Sequence, residues 1–243
     1  MKIIGLINWY NESPDDLYMC AISAYQLCDE IIAVDGRYEK FAPGMPAVSP
    51  RSNYKALEKA SLDCKKPIAI HKRSTPWTDE MQKRSFGMKE IELITDENDW
   101  FMYLDADEEL VIGRQGPDQI IKMLAHYTGE GKPVVTVMCQ VFTPEGPREK
   151  SNNFDEGIVT CPRFFRTLRD LQVEHNHYLY TGTHGGVKYA LHCLHLAQAF
   201  RLKPVLIASI DQGIIIIHNT LNRTEEREMT KQSYVKIRGE YGD

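Results

Sequence analysis

Trp100-Phe101-Met102-Tyr103-Leu104-Asp105-Ala106-Asp107-Glu108-Glu109 (WFMYLDADEE) sets an apolar run directly against a run of acids. The apolar part reads as a strand buried on both faces, because strands covered by helices on either side are continuously apolar rather than alternating. Working outward, Thr78-Asp79-Glu80 opens a helix that runs to about Thr95 and feeds this strand. Further upstream, Lys2 to Asn8 (KIIGLIN) is a short buried strand, and Ser13-Pro14-Asp15-Asp16 starts a helix toward Cys28. Ser13 can cap that helix, Pro14 suits its first position, and the two acids favour the positive end of its dipole. Glu30 to Asp35 (EIIAVD) is a second buried strand closed by Gly36. Strand, helix, strand in this order gives a parallel pair with a right-handed crossover.

The Pro- and Gly-rich stretch 41–53 reads as a loop, 54–63 as a short helix and 67–71 as a third strand. Downstream of the acids, Gly116-Pro117 opens a helix toward Tyr127, and Val134 to Val141 is a strand. Residues 143–157 read as a polar loop. Lys188 to Phe200 reads as a packed helix, since His192-x-x-His195 lacks the i, i+4 spacing of a helical metal pair. After a less regular stretch come a buried strand at Ile214 to Ile217 and a charged helix from about Arg223 to Tyr241. The pattern is α/β, with a mixed, mostly parallel sheet flanked by helices.

A chain of 243 residues with 42% hydrophobic and 26% charged residues can bury one sizeable core, which excludes disorder as its main state. The net charge of -5 gives no electrostatic reason to expect a nucleic-acid partner. The six cysteines make neither a CxxC pair nor a zinc spacing, so they read as reduced, mostly buried thiols. The start turns polar too soon for a signal peptide, and Ile214 to Ile217 falls far short of a membrane span; a cytoplasmic location is expected.

In open α/β sheets ligands bind beyond the carboxyl ends of the strands. Three polar signals lie at such ends: Asn11-Glu12, Asp35-Gly36 and Asp105-Ala106-Asp107. If the chain stays extended, alternation puts both carboxylates of Asp-x-Asp on one side. Two close carboxylates repel unless a cation lies between them, and hard divalent ions such as magnesium or manganese suit that place. The plainer reading is a solvated acidic turn.

The stretch Gln82-Lys83-Arg84-Ser85 followed by Asp99-Trp100-Phe101-Met102-Tyr103-Leu104-Asp105-Ala106-Asp107-Glu108 resembles family 2 glycosyltransferases, in the branch of the lipopolysaccharide core transferases. Asn11-Glu12 at the first strand end, the EIIAVDG segment and Pro162-Arg163-Phe164-Phe165-Arg166 are similar to the same family. Ser85 stands where that branch has Asn, and Arg37-Tyr38-Glu39 stands where the family continues with Ser-Thr-Asp. The resemblance implies one GT-A domain over 1–243, with 1–110 the nucleotide-sugar-binding half and 111–243 the acceptor-side half and C-terminal helix. It further implies a nucleoside-diphosphate sugar as donor and a divalent metal, manganese or magnesium. The acceptor would be a glycan, a lipid-linked saccharide or another hydroxyl-bearing molecule.

Carried over by position, Asn11 and Glu12 line the nucleotide pocket, Asp35 meets the base and Arg84 the diphosphate. Asp105 meets the ribose or the metal, Asp107 is the main metal ligand, and His218 completes the coordination. An inverting transfer needs a base to deprotonate the acceptor hydroxyl. Glu174 and His177 lead for that role, with Asp155 and His184 behind them. Three rivals share parts of the pattern. A phosphatase of the haloacid-dehalogenase type carries Asp-x-Asp near its start, and a nucleotidyltransferase carries a Gly-rich basic loop after its first strand; neither feature is present here. A non-catalytic nucleotide-sugar-binding module is the third.

Overall fold

A computed structural model describes residues 1–41, 44–114, 116–129, 131–143, 146–147, 160–174, 179–191, 200–209 and 214–218. At its centre lies β1 (Ile3–Trp9), buried at every position and flanked by two parallel partners, β2 (Glu30–Asp35) and β4 (Trp100–Asp105). The register aligns Trp9 with Asp35 and Asn8 with Asp105, so all three strands end at one level. Beyond β2 lies β3 (Ile68–His71), also parallel.

On the other side of β4 the sheet continues through β8 (Thr160–Arg166), β6 (Val135–Thr143), β14 (Ile214–His218) and β5 (Glu108–Ile112). The short β7 (Gly146–Pro147) and β13 (Leu206–Ser209) also pair with β6. Five of these pairings are parallel and four antiparallel, so the sheet is mixed and mostly parallel, as the sequence pattern implies.

Helices cover both faces. α1 (Pro14–Ala24), α2 (Arg51–Cys64) and α4 (Gly116–His126) share one core with Ile3, Ile7 and Met102. α3 (Glu80–Ile94) packs on the opposite face, over Ile4, Leu6 and Phe101. The Ser13 hydroxyl accepts the N–H groups of Asp15 and Asp16, which caps α1 as its sequence suggests. α1 stops at Ala24 rather than near Cys28, because Asp29 is pulled into the sheet: its N–H reaches the Ile3 carbonyl and its carboxylate accepts the Ile3 N–H. All three tryptophans are buried. Trp77 donates its indole N–H to the Asp35 carbonyl at the carboxyl ends of the strands, whereas Trp100 donates to Thr128 at the opposite end of the sheet.

Three expectations are corrected. On the plainer reading Asp105 to Glu109 is a solvated acidic turn; the turn is confined to Ala106-Asp107, and Glu108 and Glu109 begin β5, paired back against β14. The stretch after residue 160 is rich in strands, with a second sheet in the order β12 (Lys203–Pro204), β11 (Val187–Ala190), β10 (Leu179–His184), β9 (Arg169–Glu174). Lys188 to Ala190 therefore belong to a strand, not to a helix. Gly185-Gly186, both at positive φ, form the two-residue turn that forces a β10–β11 hairpin. The rest of the expected 188–200 helix, most of the 143–157 loop and the expected C-terminal helix lie outside the described residues. No helix among the described residues is long and apolar enough to cross a membrane. Cys20, Cys28, Cys64 and Cys139 are free thiols.

Candidate active site

The carboxyl ends of β1, β2 and β4 form two different environments, one on each face of the sheet. On the face of α1 and α2, Asp35 is fully buried and its carboxylate is taken up within the protein. It accepts the Ser49 N–H at 2.8 Å, the Ser49 hydroxyl at 2.6 Å and the Tyr54 hydroxyl. Ser49 also accepts the N–H of Asn11, which stands at a φ of 53°, a left-handed conformation that Asn tolerates better than most residues. Asn53 donates to the Glu12 carbonyl at 2.6 Å, and Glu12 itself is buried. Asn11, Glu12 and Asp35 are thus brought together, fastened by the end of the Pro/Gly-rich loop.

The face toward α3 holds the other set. Strand alternation puts Asn8 with Ile4 and Leu6, and Asp105 with Phe101 and Tyr103. Asn8 is 8% exposed, and its amide Nδ2 and Oδ1 are both buried without a hydrogen-bond partner among the described residues. Its register partner Asp105 keeps 38% of its side chain exposed and accepts the Tyr103 hydroxyl at 2.8 Å. Arg84 is buried and lies 3.6 Å from the same carboxylate. Its guanidinium also pairs with Glu80, donates to the Tyr180 hydroxyl and stacks 4.4 Å over the Tyr103 ring. Burial holds both tyrosine hydroxyls above their ordinary range, Tyr180 at about 12, so both remain protonated donors. One helical step from Arg84, Lys83 donates to the carbonyls of Trp9 and Gly36.

Asp107 does not share the exposure of Asp105. It is 2% exposed, because the tight turn interrupts the extended geometry that alternation requires. Beneath that turn, Glu108 accepts the Asp105 N–H at 3.0 Å and pairs with the buried guanidinium of Arg163 from β8. Burial pushes the Glu108 carboxyl up, and Arg163 opposes the shift. Among the described residues no three His, Cys, Asp or Glu side chains are grouped to hold a metal ion. His218 is the β14 register partner of Glu108, which brings its backbone beside the acidic turn.

The base candidates are dispersed. Glu174 ends β9 and binds Lys188 and Gln172 through one carboxylate oxygen. His184 bonds Glu97 at 2.7 Å, near the start of β4 and thus at the far end of that strand from Asp105. His177 and Asp155 lie outside the described residues. Sequence reasoning missed Asn8, Lys83, Tyr103, Tyr180 and the Glu108–Arg163 pair as site residues. A signal existed for two of them: Asn8 is a polar residue ending an apolar run, and Lys83 lies on the same helical stripe as Gly87 and Ile91.

No family model matches the chain, and no curated protein matches it in sequence. Among solved structures it is similar to mannose-6-phosphate isomerase from Helicobacter pylori, with 15% identity and a TM-score of 0.34 over 69% of this chain. That match spans 61% of the isomerase, under two thirds of its length. It is also similar to 4-diphosphocytidyl-2C-methyl-D-erythritol synthase, with 11% identity, a TM-score of 0.39 and coverage of 96% of this chain and 98% of that one.

Proposed function

We propose that this chain is a GT-A-type glycosyltransferase that moves a sugar from a nucleoside-diphosphate donor to a hydroxyl acceptor, with inversion. The observation that carries the reading is the Asn8 amide, buried without a partner among the described residues, beside the exposed carboxylate of Asp105. An unsatisfied buried amide costs about 1–3 kcal/mol. Held at the carboxyl end of the central strand, it supplies N–H donors and a carbonyl acceptor to a ligand entering there, as an edge of a nucleobase or a pair of sugar hydroxyls requires.

Of the two carboxylates of the triplet, Asp105 is the exposed one and would hold magnesium or manganese, with Asp107 and His218 the further ligands that the sequence offers. Such ions take one or two carboxylates and complete their oxygens from phosphates and water, so a single exposed carboxylate at the crevice fits that donor set. When bound, the ion would offset the charge that develops on the departing diphosphate. Arg84 orients Asp105 from a position fixed by Glu80 and Tyr180, and lends positive charge to the diphosphate side of the crevice. Asn11, Glu12 and Asp35 shape the opposite wall through Ser49 and Asn53. Glu174 or His177 would take the acceptor proton; Lys188 must release Glu174 for it to serve.

The test is thermal stabilisation by a panel of nucleoside diphosphates and nucleotide-sugars, with and without manganese. A ligand at one hundred times its Kd stabilises by about 2.7 kcal/mol. The expected result is a metal-dependent shift with one nucleotide that disappears in Asp105→Ala and in Asn8→Leu. Asn8→Leu should meanwhile melt no lower than wild type without ligand, since it removes a buried polar group that has no partner among the described residues. Product analysis then separates the rivals: a free nucleoside diphosphate supports sugar transfer, and pyrophosphate release would replace it with nucleotidyl transfer. Absence of any nucleotide shift would remove the transferase reading.

A further inference from the structure

We infer that Lys83 is a positioning residue of the nucleotide site, a buried clamp that fastens the chain leaving β1 and β2 to α3 and answers the negative charge of the ligand. The inference rests on the nucleotide-donor reading above. Lys83 is 1% exposed, and a lysine is almost never so buried unless it is paired. Its ammonium donates to the Trp9 carbonyl at 2.6 Å and the Gly36 carbonyl at 2.9 Å. Trp9 is the last residue of β1, and Gly36 is the first after β2. The two bonds therefore bridge the mouth of the crevice at the points where the sheet stops holding the chain.

Neither acceptor carries a charge, so the clamp binds the loops without neutralising the ammonium. The charged groups that face it are Asp35 from β2, Asp105 from β4, and Glu80 and Arg84 from α3. The ring of Tyr38 lies 5.4 Å away. Each of the carboxylates is engaged elsewhere: Asp35 by Ser49 and Tyr54, Glu80 by Arg84, and Asp105 by Tyr103. A diphosphate entering the crevice adds negative charge beside the ammonium, on top of the three carboxylates already facing it. Burial pulls the amine down to about 7, with the three carboxylates acting against that pull. An anion bound nearby raises it again, so binding takes up a proton and weakens as pH rises above 7.

The experiment is titration calorimetry with UDP, CDP, GDP and ADP in magnesium buffer between pH 7.5 and 9.0, where the terminal phosphate (pKa about 6) is already ionised. For the nucleotide that binds, wild-type affinity is expected to fall up to about tenfold per pH unit, with proton uptake read from buffers of different ionisation enthalpy. Lys83→Arg keeps its charge throughout, so its affinity should show no slope. Lys83→Met should bind at least tenfold more weakly at pH 7.5, also without slope. A flat wild-type profile, or a slope that persists in Lys83→Arg, overturns the inference while leaving the nucleotide site standing. If Lys83→Met does not fold, the wild-type and Lys83→Arg profiles decide alone. Failure of all four nucleotides to bind wild type removes the donor reading, and the clamp with it.

Discussion

A carboxylate buried beneath an acidic turn must be compensated, and Glu108 is compensated twice, by the Asp105 N–H and by Arg163. Both partners of the ion pair are buried, so removing either one strands a charge in a medium that solvates it poorly. Glu108→Ala and Arg163→Met are each expected to cost about 3–5 kcal/mol in urea denaturation, whereas the double change Glu108→Leu with Arg163→Met should recover most of that loss. Equal and additive losses would show that the two side chains act independently. The same pair explains why Asp105 sits where it does. Its backbone N–H is held from below by Glu108 and its side chain from above by Tyr103, while 38% of that side chain stays exposed.

At the scale of elements, α1 owes its start to the Ser13 hydroxyl, and Ser13→Ala should lower stability by about 1 kcal/mol without changing the fold. A loss below a few tenths would mean that Pro14 and the first-turn acids suffice. The elements up to β4 were legible because each parallel strand is an unbroken apolar run and the helices α1 and α3 carry a side-chain cap, Ser13 and Asp79. β8 hid itself: TCPRFFR contains a proline and two arginines, and its register against β6 shifts at Pro162. The strand β9 alternates only after two exposed residues, too short a pattern to read. For the site, positions at strand ends were legible but contacts were not. Asp35 is consumed by Ser49 and Tyr54, and Arg84 by Tyr180 far along the chain; such partners exist only once the loops and the second sheet have folded into place.

For the molecule as a whole, stability against pH follows from which groups are buried. Lys83 titrates at about 7 in the native state, below its ordinary 10.5, so between these values the unfolded chain holds the extra proton. Stability therefore rises with pH from about 7. Burial raises the thiols of Cys20, Cys28 and Cys139 above their ordinary 9.0, so above that pH the unfolded chain loses protons first and the slope reverses. Tyr103 and Tyr180, raised likewise, steepen the decline above 10. The melting temperature under reducing conditions should climb from pH 7, peak near about pH 9 and fall beyond it. Lys83→Met should remove the climb, and a wild-type curve that falls steadily from pH 7 would contradict this account. The placement of the three indoles gives the molecule its own optical gauge. Trp9, whose carbonyl meets Lys83, and Trp77, bonded to the Asp35 carbonyl, emit from the mouth of the crevice, while Trp100 emits from the opposite end of β4. A nucleotide settling in that mouth should quench the first two and leave Trp100 glowing as an internal reference, so unlabelled protein reports its own occupancy.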